Sequence, residues 1–430
     1  MQGDDMMTES KLKILCELYS DIVPRSKESE SFCLEILVAC HGCLQAAVEM
    51  INESLGVCRS PDELQQRKRK HDGSEEAKGV RKIQRSLNHF IADPNNRIKA
   101  VSDNSWGKIS SNPIELFTKE DIEENVKYIT FHRNAIPESL ANSLLQHLAQ
   151  DEKNFTPNQF HLFGKKCTSN HLTKMFSSNE DILLGRSKIY YNSYTRTNVA
   201  KYDDDLKMAQ LLIEDLVNET IANQDPLPFQ IKCPDWRGDV VLVNRYYRNS
   251  NLDWHSDRMT SIGPHPIIAS LSLGCVREFR VRRTYPANSQ VYVLKPPHNT
   301  LIIMHAGFQE EYKHCVHTGP KSATLEQHPI SKYVRINLTY RCYLQTYLRN
   351  CPTCTKCGSS MDLRRAFKNP KTRGQYLWQC SRGYKGEDCD GIKRANFQNE
   401  CLTVRNYKEQ GSRWLAPDDN EARNAQKVGT

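Results

Sequence analysis

His255-Ser-Asp257 sets an imidazole and a carboxylate two residues apart, just after a strand-like run. In extended backbone such residues point the same way, so both can face one ion. A second imidazole would complete the two-His, one-carboxylate donor set of non-haem Fe(II) sites. Two distal candidates stand in His314-Cys-Val-His317, and these residues alone leave both open. A different donor set follows in Cys351, Cys354, Cys357, Cys380 and Cys389. Four thiolates suit a closed, tetrahedral structural zinc site. The 16 cysteines run from Cys16 to Cys401, and the opening MQGDDMMTES lacks a signal-peptide apolar segment. That combination favours metal binding in a reducing compartment over a disulfide framework.

Several stretches have the β-branched and aromatic content of strands: 240–247, 267–274, 277–283, 300–305 and 333–341. A helical piece spans roughly 202–220. Short strands behind helices predict a β-sandwich or jelly roll across 125–348. The chain has 430 residues, enough for two to four units. Hydrophobic residues make up 38%, so a packed core with polar sequence beside it is expected. No run of 18 apolar residues occurs, and no membrane helix is expected. The net charge of +8 permits a polyanionic partner.

Taken in order, Asn244-Arg-Tyr246, His255-Ser-Asp257, Ser270-Leu-Ser-Leu-Gly274, Arg277-Glu-Phe-Arg-Val-Arg282, the distal histidine and Arg335-Ile-Asn-Leu-Thr-Tyr-Arg341 resemble the AlkB family of Fe(II)- and 2-oxoglutarate-dependent dioxygenases. The resemblance implies a double-stranded β-helix (jelly roll) catalytic core. It implies Fe(II) on His255, Asp257 and His317, with His317 preferred to His314 because its spacing to Arg335 fits the family. Arg335 would grip the far carboxylate of 2-oxoglutarate, which wants a planar, permanently charged donor. Asn244, Tyr246, Asn337, Thr339 and Arg341 would complete the cosubstrate wall, and Arg341 would also hold the metal-side carboxylates. The implied reaction is oxidative dealkylation of N-alkylated bases, releasing aldehyde, CO2 and succinate. The nearest likeness is to DNA-repair members, so DNA is the expected partner and RNA the alternative. Arg186, Tyr190 and Tyr191 stand where those members hold their nucleotide-recognition lid. One departure is plain: the repair members continue with an acidic residue after the H-x-D pair, and here Arg258, Met259 and Thr260 follow.

The C-terminal cysteines resemble a GRF-type zinc finger, which implies Zn(II) on Cys354, Cys357, Cys380 and Cys389, with Cys351 in reserve. Such modules are similar to single-strand nucleic-acid binders. Tyr376, Trp378 and Tyr384 among basic residues would then supply stacking and charge. Residues 349–430 carry 16 basic and 9 acidic side chains. At the other end, Leu44-Gln-Ala-Ala-Val-Glu-Met-Ile51 resembles the ubiquitin-associated and CUE families, which implies ubiquitin as a partner. Gln84, Leu87, Phe90 and Ile91 resemble the peptides that dock on the replication sliding clamp, and Arg67-Lys-Arg-Lys70 reads as a nuclear-import signal or a nucleic-acid contact. The expected layout is a three-helix bundle at 8–56, a basic linker at 57–115, the dioxygenase at 125–348, a zinc finger at 349–400 and a tail at 401–430, working in the nucleus. A competing reading is a ubiquitin- and clamp-tethered scaffold whose oxygenase core is secondary.

Overall fold

The computed structural model describes residues 8–19, single helical positions between 33 and 52, and 112–427 apart from 163–164, 192–193, 197, 287, 318–324, 350, 385–386, 388 and 398–410. The chain divides into two compact units, Met1–Lys108 and Ile109–Thr430. In the first, helix α1 (Thr8–Leu18) puts Leu15, Leu18 and Tyr19 into a small core with Cys33, Leu37, Ala47, Val48 and Ile51. The Tyr19 hydroxyl reaches the Val48 carbonyl at 3.1 Å and Asn52 at 2.8 Å, so the ring is both buried and hydrogen-bonded. The clamp-like residues Gln84, Leu87, Phe90 and Ile91 lie outside the described residues.

The second unit opens with β1 (Ile114–Leu116), α2 (Lys119–Asn125), β2 (Ile129–Arg133) and α3 (Glu138–Gln150). A long hairpin follows, β3 (Thr156–Leu162) and β4 (Lys165–Ser177), then α4 (Glu180–Leu183), β5 (Ile189–Tyr191), β6 (Tyr194–Arg196), β7 (Val199–Lys201) and α5 (Asp204–Ala222). Next come β8 (Val240–Tyr246), β9 (Leu252–His255), β10 (Ile268–Gly274), β11 (Glu278–Arg283), β12 (Tyr292–Leu294) and β13 (Thr300–Met304). Helix α6 (Phe308–Glu311), β14 (Tyr312–His317) and β15 (Arg335–Arg341) complete the body. Eight strands make a large sheet in the order β2-β13-β10-β15-β8-β4-β3, with β7 beside β4; five make a smaller one in the order β1-β12-β11-β14-β9. This is a two-sheet, jelly-roll core.

The period of two along each strand decides what faces the gap between the sheets. On β8, Val240, Leu242 and Tyr246 join the core that holds the small sheet's Phe279, Val281, Leu294 and Val316. The intervening Val241 and Val243 pack outward with Leu144, Leu145 and Leu148 of α3 and Ala209, Ile213 and Val217 of α5. Strand β15 splits the same way. Ile336, Leu338 and Tyr340 face the helices, which leaves Arg335, Asn337, Thr339 and Arg341 for the gap. Each of the seven residues of β8 and of β15 is buried. Thus a polar stripe runs through the middle of the sandwich, where it needs partners.

After α7 (Gln345–Arg349), β16 (Met361–Arg365), β17 (Tyr376–Cys380) and β18 (Ile392–Arg394) form a separate three-stranded sheet; α8 (Ser381–Tyr384) and α9 (Asn420–Lys427) flank it. The cysteine-rich segment lies within the same compact unit as the jelly roll. Its apolar cluster includes Met259 from the body, together with Met361, Leu363, Tyr376, Trp378, Phe397 and Trp414. Among the described residues, no helix is long and apolar enough to cross a membrane.

Candidate active site

His255 ends β9, and its cross-strand neighbour on β14 is His314. Their ring centroids stand 4.3 Å apart. Asp257, two residues past His255, brings Oδ1 to 3.6 Å from His255 Nε2 and 4.0 Å from His314 Nε2. One donor atom from each of the three falls within 4.8 Å of the others. Donors bound side by side at about 2.1 Å from an ion would stand about 3 Å apart, so a slight contraction suffices. His255 Nδ1 lies 2.7 Å from the Asp253 carbonyl, which assigns the proton to Nδ1 and frees Nε2 for a metal.

The imidazole that stands beside His255 and Asp257 is that of His314, where the family spacing had pointed to His317. The reason is the strand period. Tyr312, His314 and Val316 share the inward face of β14, since Tyr312 and Val316 sit in the core between the sheets. His317, an odd number of residues away, turns to the other face. Its side chain is 42% exposed and its Nδ1 is 3.7 Å from Glu278. The sequence carried the signal, because Tyr312-Lys-His-Cys-Val-His317 alternates with a lysine on the outward side.

Burial pushes the Asp257 carboxyl up, but the Arg341 guanidinium outweighs it and holds the group well below the usual carboxylate range. Arg341 donates through Nε at 2.9 Å and Nη2 at 2.5 Å, both to Oδ2, leaving Oδ1 for the metal side. The Asp257 amide donates to Gln309 Oε1 at 2.7 Å. Burial first, then neighbouring His255, pushes His314 down to about 3 and keeps the imidazole neutral, as ligation requires.

Arg335 begins β15, and burial pushes it down to about 10. Its Nη2 donates to Ser272 at 2.8 Å and to Asn337 Oδ1 at 2.7 Å. Its Nε and Nη1 meet no partner among the described residues. A buried guanidinium with two unused donors of its fork is the complement of a carboxylate. Asn337 continues the stripe by donating to Ser270 and to Thr339, each at 3.0 Å. Asn244 and Tyr246, both buried, face the same region from β8. The Tyr246 ring lies 5.4 Å from the Arg335 guanidinium. These residues fit a dicarboxylate at the guanidinium and a metal beside Asp257. Sequence reasoning assigned no role to Ser270, Ser272 or Gln309, and it missed His171. His171 is buried, stacks on Tyr246 at 5.2 Å and is pushed down to about 4, mainly by burial.

The lid residues fare differently. Arg186 is exposed and pairs with Asp181 at 3.5 Å. The backbone of Tyr190 and Tyr191 forms a hairpin strand with β6, and their side chains lie outside the described residues.

Cys354, Cys357, Cys380 and Cys389 converge as one cluster. The sulfurs of Cys354 and Cys389 stand 3.6 Å apart and those of Cys357 and Cys380 3.5 Å apart. Sulfurs at 2.3 Å from a tetrahedral zinc would be about 3.8 Å apart, so the four residues fit that ion. Gly391 sits against them; a Cβ there would collide with Cys354 Sγ. Cys351 stays outside, its thiol directed at the Met361 carbonyl at 3.4 Å. Tyr376 and Trp378 do not offer stacking faces. Both are buried in the module's core, because that core is shared with the body.

Residues 129–341 match the model of the 2OG-Fe(II) oxygenase superfamily. The chain is 42% identical over 109 residues to "Alpha-ketoglutarate-dependent dioxygenase alkB homolog 3" of Bos taurus, and 41% identical to the Homo sapiens protein of that name. Each match covers 23% of this chain and 35% of the relative, so the chain spans about a third of the length of those proteins. It is 27% identical over 207 residues to "DNA oxidative demethylase ALKBH2" of Arabidopsis thaliana, covering 43% of this chain and 56% of that one. The solved structure of OsALKBH1 aligns with 50% of this chain and 97% of its own at 15% identity and a TM-score of 0.35. The match to the superfamily model thus spans the jelly-roll core from β2 to β15, including the donors His255, Asp257 and His314.

Proposed function

We propose that this chain oxidatively removes alkyl groups from the ring nitrogens of bases in nucleic acid, with DNA as the substrate, using Fe(II), O2 and 2-oxoglutarate. The observation that carries the reading is the buried stripe on β15. One end, Arg335, offers two unused N–H donors, and the other, Arg341, holds Asp257 by two hydrogen bonds. The stripe would so offer a guanidinium to the far carboxylate of a chelating dicarboxylate and a carboxylate ligand to the metal that it chelates.

His255, Asp257 and His314 would hold Fe(II) on one side, leaving the opposite positions open. Bound there with 2-oxoglutarate and O2, iron supplies the oxidation of an N-alkyl carbon, which leaves as an aldehyde while the cosubstrate becomes succinate and CO2. The protein's share is placement. Arg341 keeps Asp257 ionised and turned so that Oδ1 faces the metal. Arg335, Asn337 and Tyr246 fix the cosubstrate in a site that burial keeps dry. Cys354, Cys357, Cys380 and Cys389 would hold a structural Zn(II).

Support for DNA comes from the printed name of the Arabidopsis relative and from the chain's positive charge. The ubiquitin-associated bundle, the clamp-docking peptide and nuclear residence belong to the same proposal and rest on the sequence features alone. The test is mass spectrometry of DNA and RNA oligonucleotides carrying N1-methyladenine or N3-methylcytosine, incubated with the protein, Fe(II) and 2-oxoglutarate. Loss of one methyl mass from DNA is expected. Loss from RNA alone would replace the repair reading by RNA demethylation, and no loss from either would remove nucleic-acid dealkylation.

A further inference from the structure

Arg258, Met259 and Thr260, which follow the ligand Asp257, are gripped by the cysteine-rich module. Asp362, on β16, is buried. Its Oδ1 accepts from the Thr260 hydroxyl at 3.2 Å and its Oδ2 from Arg258 at 3.3 Å. The Thr260 oxygen in turn accepts from the Leu363 amide at 3.1 Å. Met259, between them, belongs to the module's apolar core. The same strand takes a second hold. Arg365 donates to the Glu310 carbonyl at 2.7 Å and to the Glu311 carboxylate at 2.8 Å. From β17, the Tyr376 hydroxyl donates to Glu310 at 3.2 Å. Glu310 and Glu311 lie on α6, and α6 also carries Gln309, which accepts the Asp257 amide.

Asp257 is thus fastened between two segments, and both are anchored in the module. A carboxylate ligand aims correctly only if its backbone is fixed; neighbours that fix ligands shift metal affinity nearly as strongly as some ligands do. We propose that Asp362 is a positioning residue for the iron face, so that the cysteine module sets the aim of Asp257 and completes the oxygenase site. The proposal rests on the reading that His255, Asp257 and His314 bind Fe(II). It also accounts for the departure after the H-x-D pair: those three positions serve the module.

The test uses the full chain. Fe(II) is titrated without oxygen, in the presence of 2-oxoglutarate, and followed by the visible charge-transfer absorption of the Fe(II)–2-oxoglutarate complex. Zinc content and thermal unfolding are measured alongside. Asp362→Asn should raise the Fe(II) concentration for half-saturation about tenfold or more while zinc stays bound. Thr260→Val should act in the same direction and less strongly. The double variant should fall short of the product of the two effects, because both break one contact. Wild-type-like saturation in both variants overturns the proposal. If Asp362→Asn yields too little folded protein, Thr260→Val decides, and unchanged binding there overturns it. A wild-type chain that gives no absorption would overturn the iron reading itself, a result distinguishable from unaltered variants.

Discussion

At His255, Asp257 and His314, three donors lie within 4.8 Å of one another, and each is set by something behind it. The Asp253 carbonyl orients His255, Arg341 and Gln309 hold Asp257, and the rings of Phe279 and Phe308 flank His314. At Cys354, Cys357, Cys380 and Cys389, four sulfurs lie within 4.8 Å of one another, the full donor set of a tetrahedral ion. The first cluster depends on the fold for its geometry and keeps positions open for chemistry. The second would close around its ion and lend geometry to the fold. The two are joined through β16, so an open site borrows rigidity from a closed one.

The sharpest break in that comparison is within β14. His314→Ala should lower 2-oxoglutarate turnover and Fe(II) binding by about a hundredfold or more, while His317→Ala stays within about 0.5 kcal/mol of wild-type stability and near wild-type turnover. The reverse pattern would return the third ligand to His317. Next in size is loss of the closed cluster. Cys380→Ser should release zinc, measurable by elemental analysis, and open residues 349–427 to protease. Ending the chain at residue 348 should do the same to the iron face. The sequence alone predicts that such a truncation still dealkylates a short oligonucleotide at saturating concentration, since no iron or 2-oxoglutarate residue is removed. The shared core predicts a fall of about tenfold or more, because Met259 is bared and Thr260 loses Asp362. Retained turnover would restore a separable module.

A smaller effect belongs to Arg335→Lys. The charge stays but the fork goes, which should raise the 2-oxoglutarate needed for half-maximal turnover about ten- to hundredfold, with little change at saturation. The smallest is a pH slope. Burial, then His132, pushes His305 down to about 4. Below about pH 6.5 the unfolded chain takes up a proton that the folded His305 refuses until about pH 4. Folding stability is therefore fully present above that window and falls by about 1.4 kcal/mol per pH unit across it. His305→Gln should flatten the slope of urea-unfolding stability between pH 6.5 and 4 by about one proton.

What could be read directly from the residues was what repeats with a short period. The stripe of Arg335, Asn337, Thr339 and Arg341 was legible through the family motif that the segment resembles, and strand alternation explains why those four share one face. The cysteine spacing was legible for the same local reason. The choice between His314 and His317 was also local, yet a family spacing overrode the lysine that marks the outward face. Asp362 meeting Thr260, or Tyr376 meeting Glu310, joins residues far apart in the chain, and no local pattern announces such a pair. That is why Tyr376 and Trp378 looked like stacking surfaces, although an aromatic that ends up sharing a core has the same one-letter code.

Thr260 and Asp362 are 102 positions apart. A ribosome adding about 5–20 residues per second makes the ligand loop some 5–20 s before it makes the partner of that loop. Over that interval every donor of the iron cluster up to His314 can already have emerged, with Asp257 not yet fastened by the module. On the proposal above, completion of the iron face waits on the making of Asp362, and a chain stopped before it would hold a jelly roll whose Thr260 lacks that partner.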